Sequence, residues 1–125
     1  MNVKDPEAQL PMTALWYNIL LAMADAPRHG YGVIKEIERR TDGTMSPATG
    51  TVYLALQRLE EDGLIVESPE GASAESVPAD KRRRRWYELT RFGREVLVAE
   101  TRRVSAQIGV ALAKGVIDSS TLKTS

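Results

Sequence analysis

The spacing of hydrophobic positions changes several times along the chain. Residues 1–11 hold two prolines and little apolar content, which predicts an arm without firm structure. From Thr13 a helix is expected through Ala24. It is apolar nearly all round, with Asn18 its only strongly polar member, so it needs cover on more than one side. Asp25-Ala26-Pro27-Arg28 breaks it. Val33, Ile34 and Ile37 then line one face of a short second helix ending at Arg40, whose other face is charged. Gly30 and Gly32 at its start allow close backbone approach or special dihedrals, and His29 beside them suits capping or packing. After the turn Thr41–Met45 comes a third helix. Ser46 is placed as its N-cap, Pro47 as its first residue and Gly63 as its left-handed stop. Ala48, Val52, Leu56 and Leu59 form its apolar stripe. At about 100° per residue, Ser46, Gly50, Tyr53 and Gln57 fall together beside that stripe.

Beyond Gly63 the period shortens to two. Leu64–Ser68 reads as a strand, and Arg84–Leu89 alternates as a second, with Arg85, Tyr87 and Leu89 on one side. Residues 69–83 between them are rich in Pro, Gly, Ala, Ser and charge, and predict a flexible loop. Thr90 caps a long last helix, Arg91 to about Ala113. Its seam of Leu97, Thr101, Val104, Ile108 and Ala111 steps by alternating fours and threes and is widened by Val96 and Leu112. The expected fold is mainly α with a small β-hairpin: a winged helix-turn-helix of three helices, two strands and a C-terminal dimerisation helix. Its parts are an arm (1–11), the winged domain (12–89), the dimerisation helix (90–114) and a polar tail (115–125).

Composition narrows the function. With no cysteine and one histidine, thiolate chemistry, disulfides and a Cys- or His-based metal cluster are excluded. No glycine-rich phosphate loop or paired carboxylates in a cleft point to an enzyme, so none is expected, and neither is a cofactor or a metal. No signal peptide is evident, and the longest apolar stretch is too short to span a bilayer, so a cytoplasmic location without membrane contact is expected.

Net charge is zero, but its distribution is not even. Residues 1–80 carry six basic and thirteen acidic side chains, whereas 81–103 carry nine basic against three acidic. The run Lys81-Arg82-Arg83-Arg84-Arg85 lies at the end of the hairpin loop. Alone it is an ordinary solvated charge run; behind a helix-turn-helix it becomes a wing that contacts phosphates. The third helix is similarly ambiguous. Its stripe fits any core helix, while its small and polar flank fits the DNA major groove.

Taken together, certain motifs resemble the PadR-like transcriptional regulators. They are His29-Gly30-Tyr31-Gly32, Gly50-Thr51-Val52-Tyr53, Leu56 through Ile65 (LQRLEEDGLI) and Arg84 through Gly93 (RRWYELTRFG), in the family's order over residues 12–100. The wing loop 69–83 is longer than is usual there, and the short terminal helix is similar to the family's compact branch. The resemblance implies a winged helix-turn-helix, a homodimer joined through its first and last helices, and repression of transcription. It also implies, in many members, release of DNA by a small molecule. By position it places Ser46, Thr49, Gly50 and Tyr53 at the DNA, and adds Tyr31 and Gly32, whose backbone N–H groups suit a phosphate.

The combined expectation is a homodimeric repressor of an inverted-repeat operator, with a winged-helix protein–protein module as the alternative. Double-stranded DNA is the expected partner of Tyr31, Gly32, Ser46, Thr49, Gly50, Tyr53, Gln57 and Lys81, Arg82, Arg83 and Arg84. Leu15, Ile19, Leu97, Thr101, Val104, Ile108, Ala111 and Leu112 are assigned to the dimer interface. Trp16 and Tyr17 are assigned to a small apolar or aromatic effector. Val52, Leu56, Leu59 and Leu89 are expected in the core, and Arg58 in an ion pair or at the surface.

Overall fold

The computed structural model describes residues 4–69 and 85–122. Among the described residues four helices, α1 (Ala14–Ala22), α2 (Gly30–Arg40), α3 (Thr49–Glu61) and α4 (Arg91–Ala113), accompany a small antiparallel sheet. Its strands are β1 (Arg28–His29), β2 (Ile65–Glu67) and β3 (Trp86–Leu89), in the order β1-β3-β2. The expected hairpin is β2 against β3, with Ile65 opposite Leu89 and Glu67 opposite Tyr87. The third strand was not foreseen. β1 pairs Arg28 with Tyr87 and His29 with Trp86, and a strand of two residues is too short for alternation to show.

The core lies where one face of each helix meets the sheet. Ile19 and Leu20 of α1, Val33 and Ile37 of α2, and Val52, Leu56 and Leu59 of α3 are buried with Leu64, Ile65 and Val96. Burial of such side chains stabilises by about 1.5–3 kcal/mol each. Leu89 packs against this core while only half-buried, and Tyr87 on the same strand face takes the buried place.

Two glycines fix the joints. Gly63 has φ +80. Its N–H donates to the Glu60 carbonyl and that of Leu64 to Leu59, closing α3 with paired C-terminal bonds and burying Leu64 over Leu59. Gly93 lies one turn into α4, where an added Cβ would overlap the Leu64 carbonyl. That carbonyl also accepts from Thr90 N–H at 3.0 Å. Thr90 Oγ1 in turn accepts from Gly93 N–H at 2.9 Å, the expected cap of α4.

Several expectations change. α3 begins at Thr49 behind Ala48, which offers no side-chain cap and is exposed, while Ala55 is buried in the stripe instead. Ser46 lies two residues ahead of the N-cap position and does not cap α3; its hydroxyl donates instead to Glu38 Oε2 at 2.5 Å, a charge-assisted bond. The arm is tied down over its described residues. It carries a 3-10 turn at Pro6–Gln9, and Met12 N–H donates to Glu100 Oε2 at 3.3 Å. Finally, Ser119–Leu122 in the tail forms another 3-10 turn.

Candidate nucleic-acid interface

The start of α2 is built on His29. Its Nδ1 accepts from Gly32 N–H at 3.0 Å and caps the helix, and its ring stands edge-on to Trp86, centroids 4.7 Å apart. The expectation that Gly32 N–H is open to a phosphate therefore fails: that donor is already used. Tyr31 stays 47% exposed beside it. Gly30 is where close approach matters. An added Cβ would sit 2.5 Å from the Tyr53 ring, so the tyrosine of α3 is seated on the first residue of α2.

With Val52, Ala55, Leu56 and Leu59 turned inward, the opposite side of α3 is uncovered. Thr49, Gly50, Tyr53 and Gln57 are all exposed there, and among the described residues no atom outside its own helix backbone and chain neighbours lies within 4 Å of the Gly50 Cβ position. Ser46, also exposed, stands just ahead of them. Sequence reasoning missed Leu54, 58% exposed on the same side. Its signal was available, since it lies roughly 200° around the helix from Val52. Arg58 is exposed, at the surface as expected.

A stripe of α2 flanks this face. Lys35 Nζ lies 5.2 Å over the Tyr31 ring and 3.5 Å from Glu38 Oε1. The Ser46 hydroxyl and the Lys35 ammonium hold the Glu38 carboxyl below its ordinary range, while Tyr31 and Glu38 push the Lys35 amine up.

The wing carries a second constraint. Arg85 bonds Glu67 Oε1 of β2 at 3.0 Å and Glu60 Oε2 of α3 at 3.2 Å, and lies over the Tyr87 ring. The last member of the basic run is therefore a brace between wing and α3. The flexible loop and the phosphate contacts expected of Lys81, Arg82, Arg83 and Arg84 lie outside the described residues.

On the far side, Ile19 and Leu97 are buried in the protomer's own core at 0% and 5% exposure, and so offer a partner almost no surface. Leu15, Val104, Ile108, Ala111 and Leu112 are half-buried, while Thr101 is exposed. Val98 and Val110, not singled out by the seam, are exposed at 43% and 54%. The buried residues of α4 end at Glu100, leaving the rest of the helix beyond the core. Glu100 was not foreseen as a buried carboxylate. Arg103 donates to both its oxygens, at 2.6 and 2.8 Å, and these bonds with the Met12 N–H hold its carboxyl below the ordinary range despite burial. Trp16 and Tyr17 are half-buried on α1. Thr101 Oγ1 donates to the Leu97 carbonyl, so the Tyr17 hydroxyl is the donor in its 2.8 Å bond to Thr101. Among the described residues no group of acidic, His or Cys side chains could hold a metal, and no helix is long and apolar enough to cross a membrane.

The transcriptional regulator PadR-like family matches residues 19–99. The transcriptional regulator YqjI of Escherichia coli (strain K12) is 32% identical over 84 residues, 67% of this chain and 40% of that protein. The chain thus spans well under half the length of that relative. A PadR family transcription regulator from Clostridium difficile has a TM-score of 0.61 at 24% identity, covering 77% of this chain and 94% of that one. Bacillus subtilis PadR in complex with operator DNA has a TM-score of 0.58 at 22% identity, covering 71% of this chain and 47% of that one. At such identities the two structures bear on the fold, which is the winged helix-turn-helix expected from the sequence.

Proposed function

The chain belongs to the PadR-like family of transcriptional regulators, and on that premise we propose that it is a sequence-specific, homodimeric DNA-binding repressor. Regulation of transcription, not catalysis, is the family's business. The observation that carries the proposal is the uncovered face of α3, with small Gly50 near its N-terminus and Tyr53, Leu54 and Gln57 along it. A helix bare on that side can enter a major groove. Tyr53 and Gln57 then offer hydrogen bonds to base edges, and Leu54 offers apolar contact to a thymine methyl. Ser46, Thr49 and Tyr31 border the same face, and Lys81, Arg82, Arg83 and Arg84 supply wing charge to phosphates. Bacillus subtilis PadR, similar in fold, is itself found in complex with operator DNA, which is in keeping with a DNA-binding role.

The dimer reading rests on the outer part of α4. Val104, Ile108, Ala111 and Leu112 share one side of the helix and form apolar surface beyond the protomer core. Leu15 on α1 extends it, and the Tyr17–Thr101 bond links α1 to α4. Two copies joined there present α3 twice, to an inverted repeat with half-sites about 34 Å apart. A small apolar effector beside Trp16 and Tyr17 would act at the same junction. Tryptophan quenching by aromatic compounds reads it, and an affinity unchanged in Trp16→Ala counts against it.

Selection of bound duplexes from random DNA, followed by titration against salt, tests the main proposal. Enrichment of an inverted repeat and a steep fall of log K with log salt are expected. A flat salt dependence, or no enrichment, overturns it in favour of a protein-binding role.

A further inference from the structure

Resting on the DNA-binding reading above, we infer that Glu38 is a specificity-determining residue that withholds phosphate donors from non-specific DNA. Tyr31, Lys35 and Glu38 are spaced by four and three along α2, and their stripe borders the uncovered face of α3. One carboxylate engages both donors at that edge. Ser46 Oγ donates to its Oε2 at 2.5 Å, and Lys35 Nζ lies 3.5 Å from its Oε1. The Lys35 ammonium also stands 5.2 Å over the Tyr31 ring, a contact within α2. A hydroxyl and an ammonium this close together are what a backbone phosphate would bind, and Glu38 already stands where that phosphate would compete.

The consequence is a threshold. A duplex that meets the protein through phosphates alone must displace a carboxylate from both donors and accept its negative charge nearby. Only a duplex whose bases also satisfy α3 offsets that repulsion, so the carboxylate widens the gap between operator and random DNA. The Glu38 side chain is 29% exposed against 56% for Lys35, so the carboxylate is the more shielded partner of the pair.

The test uses the full chain and a random-sequence duplex, with Glu38→Gln, Lys35→Gln and the double variant, binding measured from low to moderate salt. Glutamine still accepts from Ser46 but no longer neutralises Lys35. Glu38→Gln should bind random DNA about tenfold more tightly at low salt. Its log K–log salt slope should steepen by about one, the signature of one added phosphate contact. Lys35→Gln alone should change little, and the double variant should lose the gain. A Glu38→Gln protein with unchanged slope and affinity overturns the proposal. So does a gain that persists in the Lys35→Gln background, because that would be a general effect of removing one negative charge. A steep slope for the unaltered protein without any Glu38 effect overturns this inference alone. Flat slopes throughout overturn the DNA-binding reading beneath it.

Discussion

At the scale of single residues, the interface depends on a few close contacts. The Tyr53 ring rests on Gly30, so a methyl there must push the ring aside. Gly30→Ala is expected to lower operator affinity at least tenfold while the fold persists, because the ring can swing outward into solvent. Thermal unfolding beside a binding titration checks this, and equal damage to stability and binding would contradict it. Leu54 makes the opposite case, since at 58% exposure it loses little packing when shortened. Leu54→Ala should leave the melting temperature within about 2 °C, as exposed substitutions away from special features do. It should also cut the preference for a thymine over uracil at one operator position, because uracil lacks the C5-methyl group. His29 shows how a residue plain in the sequence acquires its role. A capping or packing part was readable, but its hold on Gly32 N–H also removes a donor that looked open to a phosphate.

At the scale of elements, long periodic segments were legible and short or borrowed ones were not. The last helix has the same bounds in sequence and structure, because its period and its Thr90 cap agree. α3 starts three residues after Ser46, whose hydroxyl is tied to a carboxylate on α2, a contact that no local pattern records. β1 and the arm stayed hidden for the same reason: their order comes from distant partners, Trp86 and Tyr87 for one and Glu100 for the other. Two changes probe these joints. Gly93→Ala sets a Cβ against the Leu64 backbone and should cost about 1–3 kcal/mol in denaturant unfolding. Glu100 has a folded-state carboxyl held below its ordinary value, so its contribution is complete at neutral pH. It is lost as pH falls from the unfolded carboxylate range through the depressed folded one. Glu100→Gln should therefore lower stability near pH 7 and flatten the acid limb of the melting profile. An unchanged acid limb would show that the Arg103 and Met12 bonds contribute nothing.

At the scale of the whole molecule, two asymmetries matter. Charge is acidic through residue 80 and basic over 81–103, so a neutral chain can still present a basic region to a polyanion. Apolar surface is equally uneven. It is spent on the protomer core up to Glu100 and left over beyond it, which supports pairing of two copies through α4 and Leu15. Ile19 and Leu97 were assigned to that interface because a helical stripe does not say whether its own domain or a second copy covers it; the fold gives both to the protomer. Ile108→Glu should therefore yield a folded monomer by light scattering, with operator binding weakened far more than random-DNA binding. A dimer that survives the charge would place the pairing surface elsewhere.

The central claim is that the uncovered side of α3 chooses the DNA sequence. The most direct test is the affinity of Tyr53→Ala for its selected operator and for a random duplex, in the same salt. The account predicts that operator affinity falls close to that of random DNA while random-DNA affinity holds. Equal losses on both duplexes, or none on either, would contradict it.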